Sequence, residues 1–370
     1  MSRIAIVDYA TLSSLGDQTE SLESYQKQTL NLLARECRGR NFFTANVNES
    51  KLEKYKIRKS LQGQDRTVLL ALHCAESLKL NNSKRFGINI GSSRGATGYL
   101  ENCFYQFMSK GDLPLLTSPL STLGNISSKI AQELKLSGLA LSHSVTCSTA
   151  LHAVCNAYAW IKSGMLDSML AGGSEAPLTD FTLNQMEALR IYTKNDSPYP
   201  CRPFEGKQNT FMLGEGAALF HITKSEQGIE LAGLGFAQEQ TPSATGITPE
   251  GTAFYLAMQA ACQQANVDKV DLIIAHAPGT VRGDQSEYNA IKKLFSDVPY
   301  IISNKYLTGH TFGASGALSL ELGILALEKQ LVPKFPYDTY LSNTPPKTIN
   351  SVLVNAAGFG GNAVSILLKK

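Results

Sequence analysis

Ser144-Val145-Thr146-Cys147-Ser148-Thr149-Ala150-Leu151-His152-Ala153 sets one cysteine among small residues. A Ser137-Gly138 turn and a short apolar run, Leu139 to Leu141, precede it, and an Ala-rich helical stretch continues to Ile161. That order predicts a thiol on a tight strand-to-helix turn. At a helix N-terminus, unpaired N–H groups and the helix dipole favour a thiolate, the nucleophilic form of sulfur. The competing reading is a buried small hydrophobe, the usual state of a free cysteine. A base and an oxyanion site elsewhere in the chain would decide between the two.

The rest of the chain sets the frame for that choice. Its 370 residues are 43% hydrophobic and 18% charged, enough for a sizeable core in one large or two medium domains. A net charge of +3 does not suggest a nucleic-acid binder. The seven cysteines form no CxxC or other metal-ligand spacing, so no metal site is expected. Disulfide scaffolding is not expected either, and a reducing cytoplasm fits better. Ile4 to Asp8 reads as a first strand, its apolar run being too short for a signal peptide. No stretch approaches the ~18 apolar residues of a membrane span.

Along the chain, strands alternate with helices, which argues for α/β layers. Glu20 to Leu33 has helical spacing, and Cys37 to Asn48 looks irregular. Lys51 to Arg66 is basic, and reads either as a solvated face or as a docking patch for an acidic partner. Arg85 to Ile90 is a strand that ends in Gly91-Ser92-Ser93-Arg94-Gly95. This loop lacks both GxGxxG and a P-loop lysine, so it reads as a tight turn. Asp167 to Ala176 is a strand that breaks into glycines. The character changes at Thr223 to Gly228, dividing the chain into residues 1–225, which carry Cys147, and 226–370. In the second part, Val270 to His276 is a buried strand, Ser286 to Phe295 a helix, and Gly313 to Leu327 an apolar Gly/Ala-rich helix. Both parts end in a Gly-broken strand pair, which hints at a duplicated unit.

Two of the six histidines stand at turns. His276 ends its strand before Ala277-Pro278-Gly279-Thr280, and His310 follows Gly309 ahead of a helix. Each alone suits a structural role, but one cysteine and two histidines on three separate turns make a constellation. Six segments then occur in order: Thr146-Cys147-Ser148-Thr149; Ala171-Gly172-Gly173-Ser174-Glu175; Arg202-Pro203-Phe204 through Gly214-Glu215-Gly216-Ala217; Ala275 to Thr280 with Asp284 and Glu287; Lys305 with Gly309-His310 and Gly313-Ala314; and Asn355 with Gly358-Phe359-Gly360-Gly361. In this order and spacing the chain resembles the β-ketoacyl-acyl carrier protein synthases, condensing enzymes of the thiolase-like superfamily.

The resemblance implies a thiolase-like fold of two similar halves stacked in α-β-α-β-α layers, and a dimer. It implies that Cys147 takes an acyl group from an acyl carrier protein as a thioester. Malonyl-carrier protein would then lose carbon dioxide, and its carbanion would attack that thioester, splitting a difficult condensation into two steps. His276 and His310 would donate hydrogen bonds to the enolate oxygen. Lys305 would hold His310 and tune the field. The N–H groups of Cys147 and Phe359 would form an oxyanion hole, with Phe359 also gating the acyl pocket, and Thr280 would bond the pantetheine arm. No cofactor is implied beyond the carrier's phosphopantetheine. Lys56, Arg58, Lys59 and Arg66 would dock the acidic carrier.

The sequence also departs from the family pattern. Ala277-Pro278 replaces Gly-Thr, Ser319 stands where a glutamate is usual, with Glu321 two residues on, Gln208-Asn209-Thr210 replaces Arg-Asp-Gly, and Ala357 replaces a phenylalanine. These changes raise a second reading, a chain-length-factor-like partner subunit of a ketosynthase heterodimer with little condensing activity of its own. Either would resemble members of divergent type II fatty acid or polyketide systems such as aryl polyene biosynthesis. A thiolase would need a second cysteine near the C-terminus, and none follows Cys262. An initiating Cys-His-Asn synthase would lack the His310 motif, and a Cys-His hydrolase would not need Lys305, His310 or the second glycine turn.

Overall fold

The computed structural model describes residues 3–80, 85–194, 197–241, 246–342 and 344–370. Ten strands run through its main sheet: β1 (Ile4–Ser13), β2 (Phe86–Gly91), β3 (Leu139–Leu141), β4 (Ser168–Glu175), β5 (Gly216–Lys224), β6 (Ile229–Gln238), β7 (Leu272–Ile274), β8 (Tyr300–Ile302), β9 (Ser351–Gly358) and β10 (Asn362–Lys369). Their spatial order is β8-β7-β9-β10-β6-β1-β5-β4-β2-β3, with the short pair Gly16–Asp17 hung on β1. Counted from its own first strand, each five-strand set has the order 3-2-4-5-1. In each, the fifth strand runs antiparallel to both neighbours and the rest pair parallel. β1 and β6 pair antiparallel at Ala5 and Glu230, joining the two sets. The repeated order is the physical form of the duplication hinted at by the two glycine-broken strand pairs.

The helices fall into three layers. α1 (Arg66–Ser77) covers one outer face; α3 (Thr252–Gln264) and α4 (Val281–Leu294) cover the other. Between the two five-strand sets lie α2 (Thr149–Lys162) and α5 (Ser315–Lys329), in the largest apolar cluster. Every residue of α5 from Ser315 to Leu327 is buried. A helix that is apolar all round has to sit in the interior, which is why the Gly/Ala-rich run at 313–327 becomes the middle layer. The α-β-α-β-α stacking expected from the resemblance is present.

Three elements differ from their sequence reading. The first helix ends at Lys27, because Gln28 adopts a left-handed φ of 53° and donates its N–H to the Ser24 carbonyl. The segment expected to be irregular is a hairpin, Leu32–Cys37 with Arg40–Ala45. Its two-residue turn, Arg38-Gly39, has positive φ at both positions (52° and 75°), which suits the right-handed twist of the strands. Finally, α4 begins at Val281, before Ser286, with Thr280 as its N-cap residue.

The middle layer holds one buried acid. Glu321 accepts a 2.6 Å hydrogen bond from the Thr11 hydroxyl, while its other oxygen is buried without a partner. Burial pushes its pKa up to about 7, so it is protonated at mildly acidic pH. A carboxyl raised in the folded state stabilises the fold below its unfolded pKa, and that contribution is lost as pH rises through the folded value. Wild-type stability should therefore fall between about pH 4.5 and 7. Glu175 and Asp284 are raised to about 7 as well, so Glu321→Gln should remove only Glu321's share of this slope, a difference that favours the variant at pH 8 by on the order of 3 kcal/mol. Denaturant unfolding at pH 5 and pH 8 measures it.

Candidate active site

Cys147 sits where the sequence places it, at the turn into α2. The preceding Thr146 is held at φ 51°, a conformation that costs a β-branched residue energy. Local bonds hold the turn in place. Thr149 Oγ1 donates to the Thr146 carbonyl at 2.5 Å and accepts from the Val145 N–H at 2.8 Å. Ser148 Oγ donates to Asn362 Oδ1 at 2.5 Å, and Asn362 Nδ2 donates to the Phe359 carbonyl at 3.0 Å. Asn362 therefore pins the nucleophile turn to the closing glycine turn. A Cβ on Gly358 would lie 1.8 Å from Thr146 Oγ1, so only glycine permits this approach. Asn362 is not among the site residues the sequence predicts; it lies one position beyond Gly361, and no spacing rule marks it.

The thiol does not behave as the helix terminus alone would suggest. Cys147 is 7% exposed. Burial pushes its pKa up to about 12, with Glu175 adding to the rise and Lys305 and Arg94 opposing it. Desolvation of the charged form outweighs both cations, which favours a neutral resting thiol over the thiolate that the turn predicts.

Glu175, at the end of β4, is the hub behind the cysteine. Its carboxylate accepts from the N–H groups of Ser93 (2.5 Å), Arg94 (3.1 Å) and Gly313 (3.0 Å), and from Ser92 Oγ (2.9 Å). The loop after β2 is thus a tight turn wound around an acid, not a phosphate cradle. Gly313 has no room for a side chain, since a Cβ there would lie 2.6 Å from Glu175 Oε2.

The two histidines meet edge to face, their ring centroids 5.3 Å apart at 84°. His310 Nδ1 accepts the Phe312 N–H at 3.0 Å, which assigns the ring proton to Nε2 and makes that nitrogen a donor. His276 is positioned through its backbone. Glu287 accepts from the N–H groups of His276 (2.9 Å) and Ala277 (2.8 Å), and from Asn355 Nδ2 at 3.0 Å. Burial holds both imidazoles well below the usual histidine range, and the charge of Lys305 pushes them lower still. Both are neutral at physiological pH.

Lys305 is 1% exposed, and burial brings its pKa down to about 8 against the pull of Glu287. Its expected grip on His310 takes a different form. The hydrogen bonds that hold His310 run to Phe312 and, from its own N–H, to the Met212 carbonyl at 2.7 Å. Lys305 acts on the ring through its field.

Cys147, His276, His310, Thr280 and Phe359 all line one cavity of about 740 Å³, together with Pro278 and Ala357. Phe359 is 39% exposed. The altered positions are absorbed locally. Ser319 Oγ donates to Asn304 Oδ1 at 3.1 Å, in a neutral network that reaches Tyr25. Asp284 fastens the turn after His276, accepting from the N–H groups of Gly279 (3.1 Å), Thr280 (3.2 Å) and Phe204 (2.9 Å). Among the described residues, no cluster of His, Cys, Asp and Glu could hold a metal ion, and no helix is long and apolar enough to cross a membrane.

The basic segment lies away from the cavity lining, and its charges are mostly paired. Lys56 pairs with Glu49, and Arg58 with Glu76 and Glu133. Arg66 binds Glu215 through two bonds of 2.7 Å and also reaches Glu49. Lys59 alone of the four has no ion pair among the described residues. Arg66 is therefore a structural residue rather than a docking one, because Glu215 is only 2% exposed. Arg66→Ala should destabilise the fold by about 3–5 kcal/mol, the usual cost of stranding a buried charge. Denaturant unfolding reads this, and a loss below 1 kcal/mol would return Arg66 to the docking patch.

A cysteine at a helix N-terminus, two facing histidines and a buried lysine on a doubled five-strand sheet define the condensing-enzyme class. The chain belongs to the β-ketoacyl synthase family: residues 56–227 match the beta-ketoacyl synthase N-terminal domain and residues 229–336 the C-terminal domain. It is 30% identical over 349 residues to nodulation protein E of Rhizobium meliloti, covering 85% of this chain and 84% of that one. It is also 30% identical over 349 residues to 3-oxoacyl-[acyl-carrier-protein] synthase 2 of Coxiella burnetii, covering 84% of each. Among solved structures, the ishigamide ketosynthase/chain length factor superposes with a TM-score of 0.89 at 20% identity, covering 100% of this chain and 99% of that one.

Proposed function

We propose that this chain is a β-ketoacyl-acyl carrier protein synthase performing decarboxylative Claisen condensation on a Cys147-bound acyl group. The observation that carries the reading is the convergence of Cys147, His276, His310 and Phe359 on one cavity. In the first step the Cys147 thiol attacks the carrier thioester; a new C–S bond forms and the thiol proton passes to the departing pantetheine sulfur. In the second, malonyl-carrier protein loses carbon dioxide, and the enolate oxygen takes hydrogen bonds from the two neutral imidazoles. The carbanion then attacks the acyl carbonyl, and the released cysteine sulfur takes up a proton. The backbone N–H groups of Cys147 and Phe359 stabilise the tetrahedral oxyanions, and Thr280 bonds the pantetheine arm.

Residues 1–225 supply the nucleophile and residues 226–370 the histidines and the lysine. The substrates arrive on the phosphopantetheine of an acyl carrier protein, no separate cofactor takes part, and the setting is the cytoplasm. Lys59 keeps a free charge for the carrier. A second copy or a homologous ketosynthase completes the assembly. Supporting that partner, β3 ends the sheet with an edge that no strand among the described residues pairs, Leu139 is exposed, and Phe104, Met108 and Leu115 present apolar surface. The pathway is a type II fatty acid or polyketide system, aryl polyene biosynthesis among them.

The test is intact mass spectrometry after incubation with acyl-carrier protein. Acylation of Cys147 supports the synthase reading. The absence of acylation, alone and with a ketosynthase partner, would replace it with the chain-length-factor role that Pro278, Ser319 and Ala357 favour.

A further inference from the structure

We propose that Arg190 and Arg282 form an anion clamp at the mouth of the cavity that takes the phosphodiester of a phosphopantetheine arm. The inference rests on reading the cavity as a thioester site. Among the described residues that line it, these two arginines carry the only charged side chains, and no aspartate or glutamate is present. Both side chains are exposed, and neither forms an ion pair among the described residues. Arg58, Arg66, Arg85 and Arg202, by contrast, are each matched with a carboxylate.

The two arginines come from distant segments that one side chain brackets together. Asn209 Oδ1 accepts the Val281 N–H at 3.1 Å, while Asn209 Nδ2 donates to the Arg190 carbonyl at 3.3 Å. Arg190 itself turns at φ 58°, just past the helix Asp180–Ala188. Asn209 is one of the positions where the chain departs from the family's Arg-Asp-Gly. Here the altered segment builds the rim of the cavity.

Depth identifies the ligand. Among the lining residues Cys147, His276 and His310 are buried, whereas Arg190 and Arg282 are exposed, which sets the arginines on the solvent side of the cavity. A ligand with a thioester at one end and an anion at the other fits that polarity. A malonyl carboxylate does not, because it lies within a few bonds of the thioester and would sit beside the histidines. Guanidinium groups bind phosphate oxygens in a planar fork, with stronger, charge-assisted hydrogen bonds.

Calorimetric binding of 4′-phosphopantetheine, pantetheine and malonyl-pantetheine tests the clamp without requiring turnover. Wild-type protein should bind the phosphorylated arm about tenfold tighter or more than pantetheine. The preference should shrink as ionic strength rises. Arg190→Gln and Arg282→Gln should each narrow it, and the double variant should bring it to parity. Arg85→Gln, which removes a paired arginine elsewhere, should leave it intact. Equal binding of the two arms by wild-type protein, a preference that survives in the double variant, or one that follows the malonyl carboxylate would each overturn the clamp. Failure of the synthase reading shows separately, as a Cys147 that no thioester acylates.

Discussion

Cys147→Ala is expected to abolish acyl-enzyme formation: the mass shift on incubation with acyl-carrier protein disappears, and condensation goes with it. The turn should survive, because its hydrogen bonds come from Val145, Thr146, Ser148, Thr149 and Asn362 rather than from the thiol. The cost to stability should stay near 1 kcal/mol, roughly that of deleting one small buried group. A melting curve alongside the mass spectrum therefore separates lost chemistry from lost fold. The wild-type thiol has its own signature. With its pKa pushed up to about 12, its thiolate fraction grows with pH throughout the neutral range. Alkylation of Cys147 by iodoacetamide should accelerate roughly tenfold per pH unit between pH 6 and 9. A plateau near pH 7 would mean that Lys305, Arg94 and the helix terminus outweigh burial after all.

His310→Ala should lower malonyl decarboxylation by about two to three orders of magnitude, the typical loss when one donor to a developing oxyanion is removed. Acylation of Cys147 should persist in this variant, since the first step uses the backbone donors. His276→Ala should behave alike, and the double variant should lose less than the product of the two effects, because both rings serve one oxygen. The pH profile follows from the same residues. Both imidazoles are neutral and remain so across the physiological range, so their protonation imposes no change on decarboxylation between pH 6 and 7. Lys305 has a pKa of about 8; as pH rises through that value its charge is lost, and the rate should decline. Glu175 and Asp284 are raised to about 7, so an acid-side decline that persists in Glu175→Gln and Asp284→Asn variants would show instead that the histidines are charged, and would sink the neutral-donor role.

Much of the fold and of the site is legible in the sequence. The segments that form β4, β7 and α5 are dominated by apolar and small residues, and burial is the stable place for them. The nucleophile turn and the two histidines stand out because small residues and glycines mark where strands stop. The hairpin at Leu32–Ala45 escapes such a reading, because its strands are half exposed and carry Arg35, Glu36 and Arg40. The basic segment invites too strong a reading, because spacing shows charges but not the acids that face them; Glu49, Glu76, Glu133 and Glu215 neutralise three of its four named cations.

By itself, the sequence determined the layered α/β fold, the hint of a duplicated unit and the residues able to do chemistry, because hydrophobic periodicity and turn residues act locally. Only the tertiary structure decided the state of those residues. Whether Cys147 rests as thiol or thiolate, whether His276 and His310 are charged, and which arginines remain unpaired are settled by burial and by partners far away in the chain. Desolvation and Coulomb forces depend on distance in space, and no spacing along the chain encodes that.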